Sequence, residues 1–287
     1  MGKIDSSILA RAERIREKQE EQEEQLSLPI GKKAEVVQLT AWRYAREVSS
    51  FPFVATRAGQ QEIAYTSPDG NYSVIGRSAT ADLPTVWDLD VLEYVISKGR
   101  EEVERTEDFR DRVCFSIQDC LRELGLSERG GKQRKRILDG LERFAGASYW
   151  TNRFNRGELL AKSVFHILEY SWVKVSEKEE RIEVKFCPSL VDSIRKGQIN
   201  ALDNPIRKKL LTEGRSGLKK ALLRVVSARI GRKSSVTFKQ DTLKQLCLYQ
   251  SSDKEFRRKL KRFELPWEVL ITKQPKGWYI TFNLPRG

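Results

Sequence analysis

Histidine is almost missing from this 287-residue chain, with His166 the single one. That leaves no metal site built on paired histidines and no catalytic cluster needing two imidazoles. A nicking enzyme of the rolling-circle kind, which holds its metal with paired histidines beside a tyrosine, is therefore not expected. No stretch satisfies GxxxxGK[ST], so a helicase motor would lack its phosphate cradle. The four cysteines, Cys114, Cys120, Cys187 and Cys247, form no CxxC pair. They read as small core residues in a reducing compartment, with a zinc site as the alternative. There is no run of 18 apolar residues and no charged-then-apolar amino terminus. The expectation is a cytoplasmic, non-enzymatic protein with no metal, cofactor, membrane span or secretion signal.

Charge is plentiful but unevenly placed. The net charge is +13, of which residues 1–30 carry −2, residues 31–200 carry +1 and residues 201–287 carry +14. A basic excess confined to the last third is the electrostatic footprint of a polyanion-binding domain. An ordinary solvated surface is the alternative. A membrane surface fits less well, because these cations interleave with a patterned core and do not line one long amphipathic helix.

Residues 5–25 favour helix but offer only Ile8, Leu9, Ala12 and Ile15 for burial, which predicts a mobile helical arm over residues 1–30. Alternating runs at AEVVQL, FPFVA, EIAYT and YSVIG predict strands. TVWDLDVLEYVISKG predicts a helix that buries Leu89, Leu92, Val95 and Ile96, with Asp88 as its cap. VCFSI reads as a strand, QDCLRELGL as a helix and GGKQRKRILDGLERF as another. ASYWTNRF, KSVFHILEYSWV and RIEVKF read as three strands and SLVDSIRKG as a helix. The polar, Pro-ended GQINALDNP is the expected domain boundary, near residue 200. Beyond it come helix GLKKALLRVVSARIG, strand SSVTF, helix QDTLKQLCL and a helix starting at a Ser252/Asp253 cap. A hairpin closes the chain, WEVLITKQ and GWYITFNL joined across Gln274-Pro275-Lys276-Gly277.

The second part repeats the first. QDCLRELGL at 118–126 returns as QDTLKQLCL at 240–248, identical at five of nine positions. A V-x-F strand precedes both, at Val113/Phe115 and Val236/Phe238. LERF at 141–144 and LKRF at 260–263 follow. Helix, strand, two helices and hairpin is the order of a winged helix-turn-helix. The expected fold is thus α+β, two tandem pseudo-symmetric winged helix-turn-helix domains behind the arm. Residues 31–200 form the first, with extra strands suited to dimerisation, and residues 201–287 the second, strongly basic one. Two unrelated α+β domains sharing a leucine pattern are the alternative.

In the second copy Phe256, Leu260 and Phe263 define a buried stripe, and the opposite face carries Lys254, Arg258, Lys261 and Arg262. An apolar back with cations in front suits a recognition helix in the major groove. Lys273 and Lys276 fall at the hairpin tip, where a wing meets the DNA backbone. The first copy buries Ile137, Leu141 and Phe144 and presents Lys132, Lys135, Arg136 and Arg143, but Asp139 and Glu142 share that side. Carboxylates facing phosphate are unfavourable, so the second copy is expected to supply most of the affinity. For both helices an ordinary solvated face is the alternative.

TVWDLDVLEYVIS, VCFSIQDCLRELGL and GGKQRKRILDGLERFAGASYWTN together resemble plasmid replication initiators of the replication-initiator-protein-A and TrfA type. The likeness covers about residues 84–154 by motif and 31–287 by order of elements. It implies two winged helices that bind direct repeats (iterons) in double-stranded DNA at an origin. It further implies recruitment of host initiator and helicase, and a homodimer that represses beside a monomer that initiates. QLSLPI at 25–30 is similar to the peptide by which bacterial replication proteins hold the sliding clamp. Gln25 would hydrogen-bond, while Leu26, Leu28 and Ile30 supply the apolar part; a plain linker is the alternative. The main alternative function is a winged-helix transcriptional repressor, including an autoregulatory one. Two heads in one chain favour a non-palindromic site of roughly 20 bp, whereas a repressor usually gains its second head by dimerising.

Overall fold

The computed structural model describes residues 42–45, 52–78, 82–107, 111–126, 131–155, 158–174, 180–196, 199–202, 216–230 and 233–284. Every described residue lies in one unit, residues 38–287. The expected arm, the peptide at 25–30 and the AEVVQL strand fall outside the described residues.

Alternation in EIAYT and YSVIGRS makes the first hairpin. β1 (Trp42–Ala45) precedes it; β2 (Glu62–Thr66) buries Ile63 and Tyr65, and β3 (Tyr72–Ser78) buries Val74. FPFVA forms no such strand and makes a single bridge, Ala55 to Thr85. Phe53, Val54 and Ala55 are buried in succession, which a strand showing alternate faces cannot do. Phe53 instead plugs the core. Its carbonyl accepts the Tyr149 hydroxyl at 2.8 Å, and its ring meets that of Tyr149 edge-on at 5.4 Å.

The first copy follows. α1 (Leu89–Thr106) leads into β4 (Arg112–Ser116), α2 (Ile117–Glu123) and α3 (Gly131–Gly146). The Ser116 hydroxyl caps α2 by accepting the Asp119 N–H at 3.0 Å. Phe115 of the V-x-F strand packs edge-on against Tyr94 of α1, ring centroids 5.2 Å apart. β5 (Ala147–Asn155) and β6 (Glu158–Phe165) then join the first hairpin in a four-stranded antiparallel sheet ordered β2-β3-β5-β6. β7 (Leu168–Lys174) and β8 (Glu180–Phe186) pair with β4 in the order β4-β8-β7. KSVFHILEYSWV was expected as one strand, yet the chain changes sheets at His166. Consecutive burial of Ile167 and Leu168 breaks the alternation there. NRGELLA, expected as a connection, contributes Glu158–Ala161 to β6.

α4 (Pro188–Arg195) precedes β9 (Ile199–Leu202), which pairs antiparallel with β1. Part of the expected link near residue 200 is therefore strand. The second copy runs α5 (Gly217–Ile230), β10 (Ser235–Lys239), α6 (Gln240–Leu246), α7 (Asp253–Arg262), β11 (Glu268–Gln274) and β12 (Gly277–Asn283). Its sheet order, β10-β12-β11, matches β4-β8-β7 strand for strand. Leu121 and Leu124 of the first nonapeptide and Leu243 and Leu246 of the second are all buried. Cys120 and Cys247 are core residues as expected, whereas Cys114 is exposed and Cys187 half-buried.

Candidate nucleic-acid interface

In α7, Phe256 and Leu260 are buried, Phe263 at its C-cap is half-buried, and Lys254, Arg258, Lys261 and Arg262 are left exposed on the other side. Arg258 pairs with Glu255 at 2.7 Å; among the described residues Lys254, Lys261 and Arg262 make no ion pair. The Ser252 hydroxyl caps the helix by accepting the Glu255 N–H at 3.3 Å. Lys244 of α6 binds Asp253 and holds its carboxyl below the usual range, and the Arg258 guanidinium does the same for Glu255. Arg257 locks α7 to its hairpin. It donates to Gln240 Oε1 at 2.7 Å and lays its guanidinium 4.3 Å from the centre of the Trp278 ring. Lys273 is the cross-strand partner of Trp278 and shares its face, so this cation stands on the α7 side of the hairpin. Exposed Lys276 occupies the two-residue turn that the Gln274–Gly277 pair closes.

The first copy is built differently. Ile137, Leu141 and Phe144 of α3 are buried as expected, and Lys132 and Lys135 are exposed. Lys135 is held 2.8 Å from both Asp139 oxygens. Superposing LERF on LKRF sets Asp139 against Arg258, Glu142 against Lys261 and Arg143 against Arg262. Each outward cation of α7 at the first two positions thus meets an acid in α3.

Arg143 does not join the outward set. It turns inward onto Asp88, Nε to Oδ2 at 2.9 Å and Nη2 to Oδ1 at 2.6 Å. Asp88 also accepts the Thr85 N–H at 2.7 Å and the Thr85 hydroxyl at 2.9 Å. Its carboxylate is engaged by these groups, and although Asp88 sits at the N-cap position of α1 its side chain caps no N–H of that helix. Gly140 permits the approach, since a Cβ there would stand 3.0 Å from Asp88 Oδ1. The bond to Asp88 raises the Arg143 pKa above its ordinary value. Ser216 and Gly217, at the start of α5, offer no carboxylate, and Arg262 stays outward. Arg136 is half-buried with Nη2 4.0 Å from Asp90, so it too is drawn from the outer face. Of the four cations expected on α3, Lys132 and Lys135 remain exposed.

Two features escape residue patterns. Lys219, Lys220 and Arg224 are buried, although all three counted towards the basic excess of the last third. Their helix is apolar on nearly every side, and a cation in such a helix signals a buried acid elsewhere. Arg134 is the second: it grips Glu180 through two bonds at 2.6 and 2.8 Å and lies 5.5 Å from the Trp172 ring centre. In both copies, then, an arginine of the third helix rests on a tryptophan of the hairpin. Among the described residues no cluster of three or more His, Cys, Asp or Glu could hold a metal ion, and no helix is long and apolar enough to cross a membrane.

The fold and site define a mixed α/β chain with two copies of a helix–strand–helix–helix–hairpin unit, the second presenting a cationic helix. The family model of replication initiator protein A matches residues 45–266, and the chain belongs to that family. Its role is that of a replication initiator, as the resemblance implied. Two crystal structures of domains 2 and 3 of RctB share the fold. One, of selenomethionine derivatives, is 15% identical with a TM-score of 0.57 and covers 84% of this chain and 99% of that one. The other is 14% identical with a TM-score of 0.53, covering 84% and 97%. No curated protein matches the chain.

Proposed function

We propose that the chain is a non-catalytic, sequence-specific initiator of plasmid replication whose repeated units are tandem winged helix-turn-helix domains on double-stranded DNA. α7 enters the major groove, where Arg258, Lys261 and Arg262 reach guanine edges or phosphates and Lys254 neutralises the backbone. Lys273 and Lys276 of the β11–β12 wing hold the adjoining phosphates. α3 adds Lys132 and Lys135 at a second major groove, with less charge to offer.

The observation that carries this reading is the outward face of α7. Three exposed cations with no carboxylate partner among the described residues sit on a helix locked to its wing by Arg257 and Trp278. The wing stands beside that charge. Two reading heads in one chain suit a direct repeat, the iteron, and an initiator bound there recruits host initiator and helicase inside the bacterial cell. QLSLPI at 25–30 adds the sliding clamp as a partner. A homodimer that represses is supported by Leu159, Leu160 and Val164, all more than half exposed on β6, an edge strand.

Selection of bound duplexes from a random library tests the reading. The expected product is a non-palindromic site of roughly 20 bp, two major grooves one turn apart. A short palindrome would favour a dimeric repressor, and no enrichment would refute DNA reading altogether.

A further inference from the structure

The acidic start of α1 holds helices from both copies. Asp88 takes Arg143 of α3, and within the next turn and a half Asp90 and Glu93 take two cations of α5. Lys220 Nζ lies 2.5 Å from Asp90 Oδ2, Arg224 Nη2 lies 2.9 Å from Asp90 Oδ1, and Arg224 Nε lies 2.6 Å from Glu93 Oε1. All four side chains are at most 8% exposed. Arg136, on the basic helix of the first copy, reaches to 4.0 Å from the same Asp90.

The contact around this quartet is close and largely apolar. Val54, Val86 and Leu89 face Ala221, Val225 and Leu246 across a small cavity. The Thr56 hydroxyl donates to the Leu248 carbonyl at 3.2 Å. Gly217 brings α5 in so tightly that a Cβ would stand 3.0 Å from the Thr56 carbonyl oxygen.

Apolar side chains of equal volume would hold these helices together as well as the charges do, because burying ions offsets much of their attraction. Charges add direction. Apolar surfaces slide past one another at small cost, whereas an Asp–Lys–Arg–Glu lattice has one register in which every charge is met. α7 belongs to the copy that α5 begins, and α3 is tied to α1 through Asp88. The lattice therefore lies on the path between the two basic helices.

We propose that Asp90, Glu93, Lys220 and Arg224 form a register key that fixes the distance and phase between α3 and α7. On DNA the key sets the separation of half-sites that the chain accepts. This consequence rests on the DNA reading proposed above; the key itself does not.

Nitroxide labels at Lys132→Cys and Lys261→Cys, in a chain carrying Cys114→Ser and Cys187→Ser, report the distance between the helices by pulsed electron paramagnetic resonance. The parent is expected to give one narrow distribution. Asp90→Asn/Glu93→Gln/Lys220→Met/Arg224→Met keeps volume and removes the charges, and should broaden the distribution or split it. Glu93→Gln alone, which leaves Arg224 an acceptor and needs no repacking, should broaden it to a lesser degree. Unchanged width in Glu93→Gln would overturn the key, whether or not the quadruple variant folds.

Unlabelled chains then meet the site selected by the parent with 5 bp inserted between half-sites. The parent should lose its second head's contribution, on the order of 100-fold in affinity. Glu93→Gln should lose several-fold less. Equal losses would overturn the link to site spacing. If the parent selects no DNA while the label distances behave as stated, the DNA reading falls and the key stands.

Discussion

Arg143→Ala separates a structural arginine from a DNA contact. The substitution removes two short charge-assisted bonds, of 2.9 and 2.6 Å, from an Asp88 side chain that is 3% exposed. Removing one partner of a buried ion pair costs about 3–5 kcal/mol. Two features lower that figure here: the Arg143 side chain is 24% exposed, and Thr85 still donates twice to the carboxylate. A loss of about 2–3 kcal/mol is expected, which in a unit of this size lowers Tm by roughly 5–10 °C. Thermal and urea unfolding measure it directly. Lys261→Ala is the control, since its exposed ammonium touches no carboxylate among the described residues and its loss should cost less than about 0.5 kcal/mol. The two should trade places in a salt titration of DNA binding. Losing one phosphate contact at Lys261 lowers the log–log slope by about 0.9, while Arg143→Ala leaves the slope unchanged. An Arg143→Ala chain of parental stability with a reduced slope would refute the assignment and restore Arg143 to the DNA face.

Arg258→Ala with Lys261→Ala should weaken DNA binding more than Lys132→Ala with Lys135→Ala in a gel-shift or anisotropy assay, because α3 carries Asp139 and Glu142 where α7 carries Arg258 and Lys261; the reverse order would undo the ranking of the heads. Gly76→Ala forces a Cβ to 2.9 Å from both Ile63 Cγ1 and Tyr149 Cε1, and should cost about 1–3 kcal/mol in urea unfolding with no change in the salt slope. The Asp253 carboxyl should titrate by NMR below its ordinary value of 3.8, since Lys244 stabilises the charged form. Its contribution is therefore present above pH 4 or so and fades as pH falls through the folded value, with amide exchange in α7 rising in step; Lys244→Ala should move the midpoint up towards the ordinary value. Gln25→Ala with Leu28→Ala should abolish pull-down of the sliding clamp, and undiminished capture would remove that partner.

Residue patterns showed most of the repeat because its helices carry their burial in local spacing. Phe256 and Leu260 are four apart, as are Ile137 and Leu141, and no distant residue is needed to place them on one face. The V-x-F strands were legible for the same reason. Sheet membership was not. β6 and β7 read as one run until Ile167 and Leu168 are known to be buried together, and FPFVA reads as a strand although Phe53, Val54 and Ala55 face one core. The candidate site divided along the same line. Exposed cations of α7 follow from the stripe opposite them, but Arg143 depends on Asp88, 55 residues away. Charge totals failed similarly for Lys220 and Arg224, whose acidic partners lie 130 or more residues earlier. Their interleaving with LLRVV was a visible sign of burial. Which acids they meet depends on how the two copies pack.

Hydroxyl-radical footprinting of the selected site, at a protein-to-DNA ratio fixed by analytical ultracentrifugation, separates one chain with two reading heads from two chains with one each. One chain should protect two patches on the same face of the duplex, about one helical turn apart, with the stronger patch lost on substituting Lys254, Lys261 and Arg262 together. A single protected patch per chain, or two patches that need two chains, would contradict an initiator carrying both reading heads in one polypeptide.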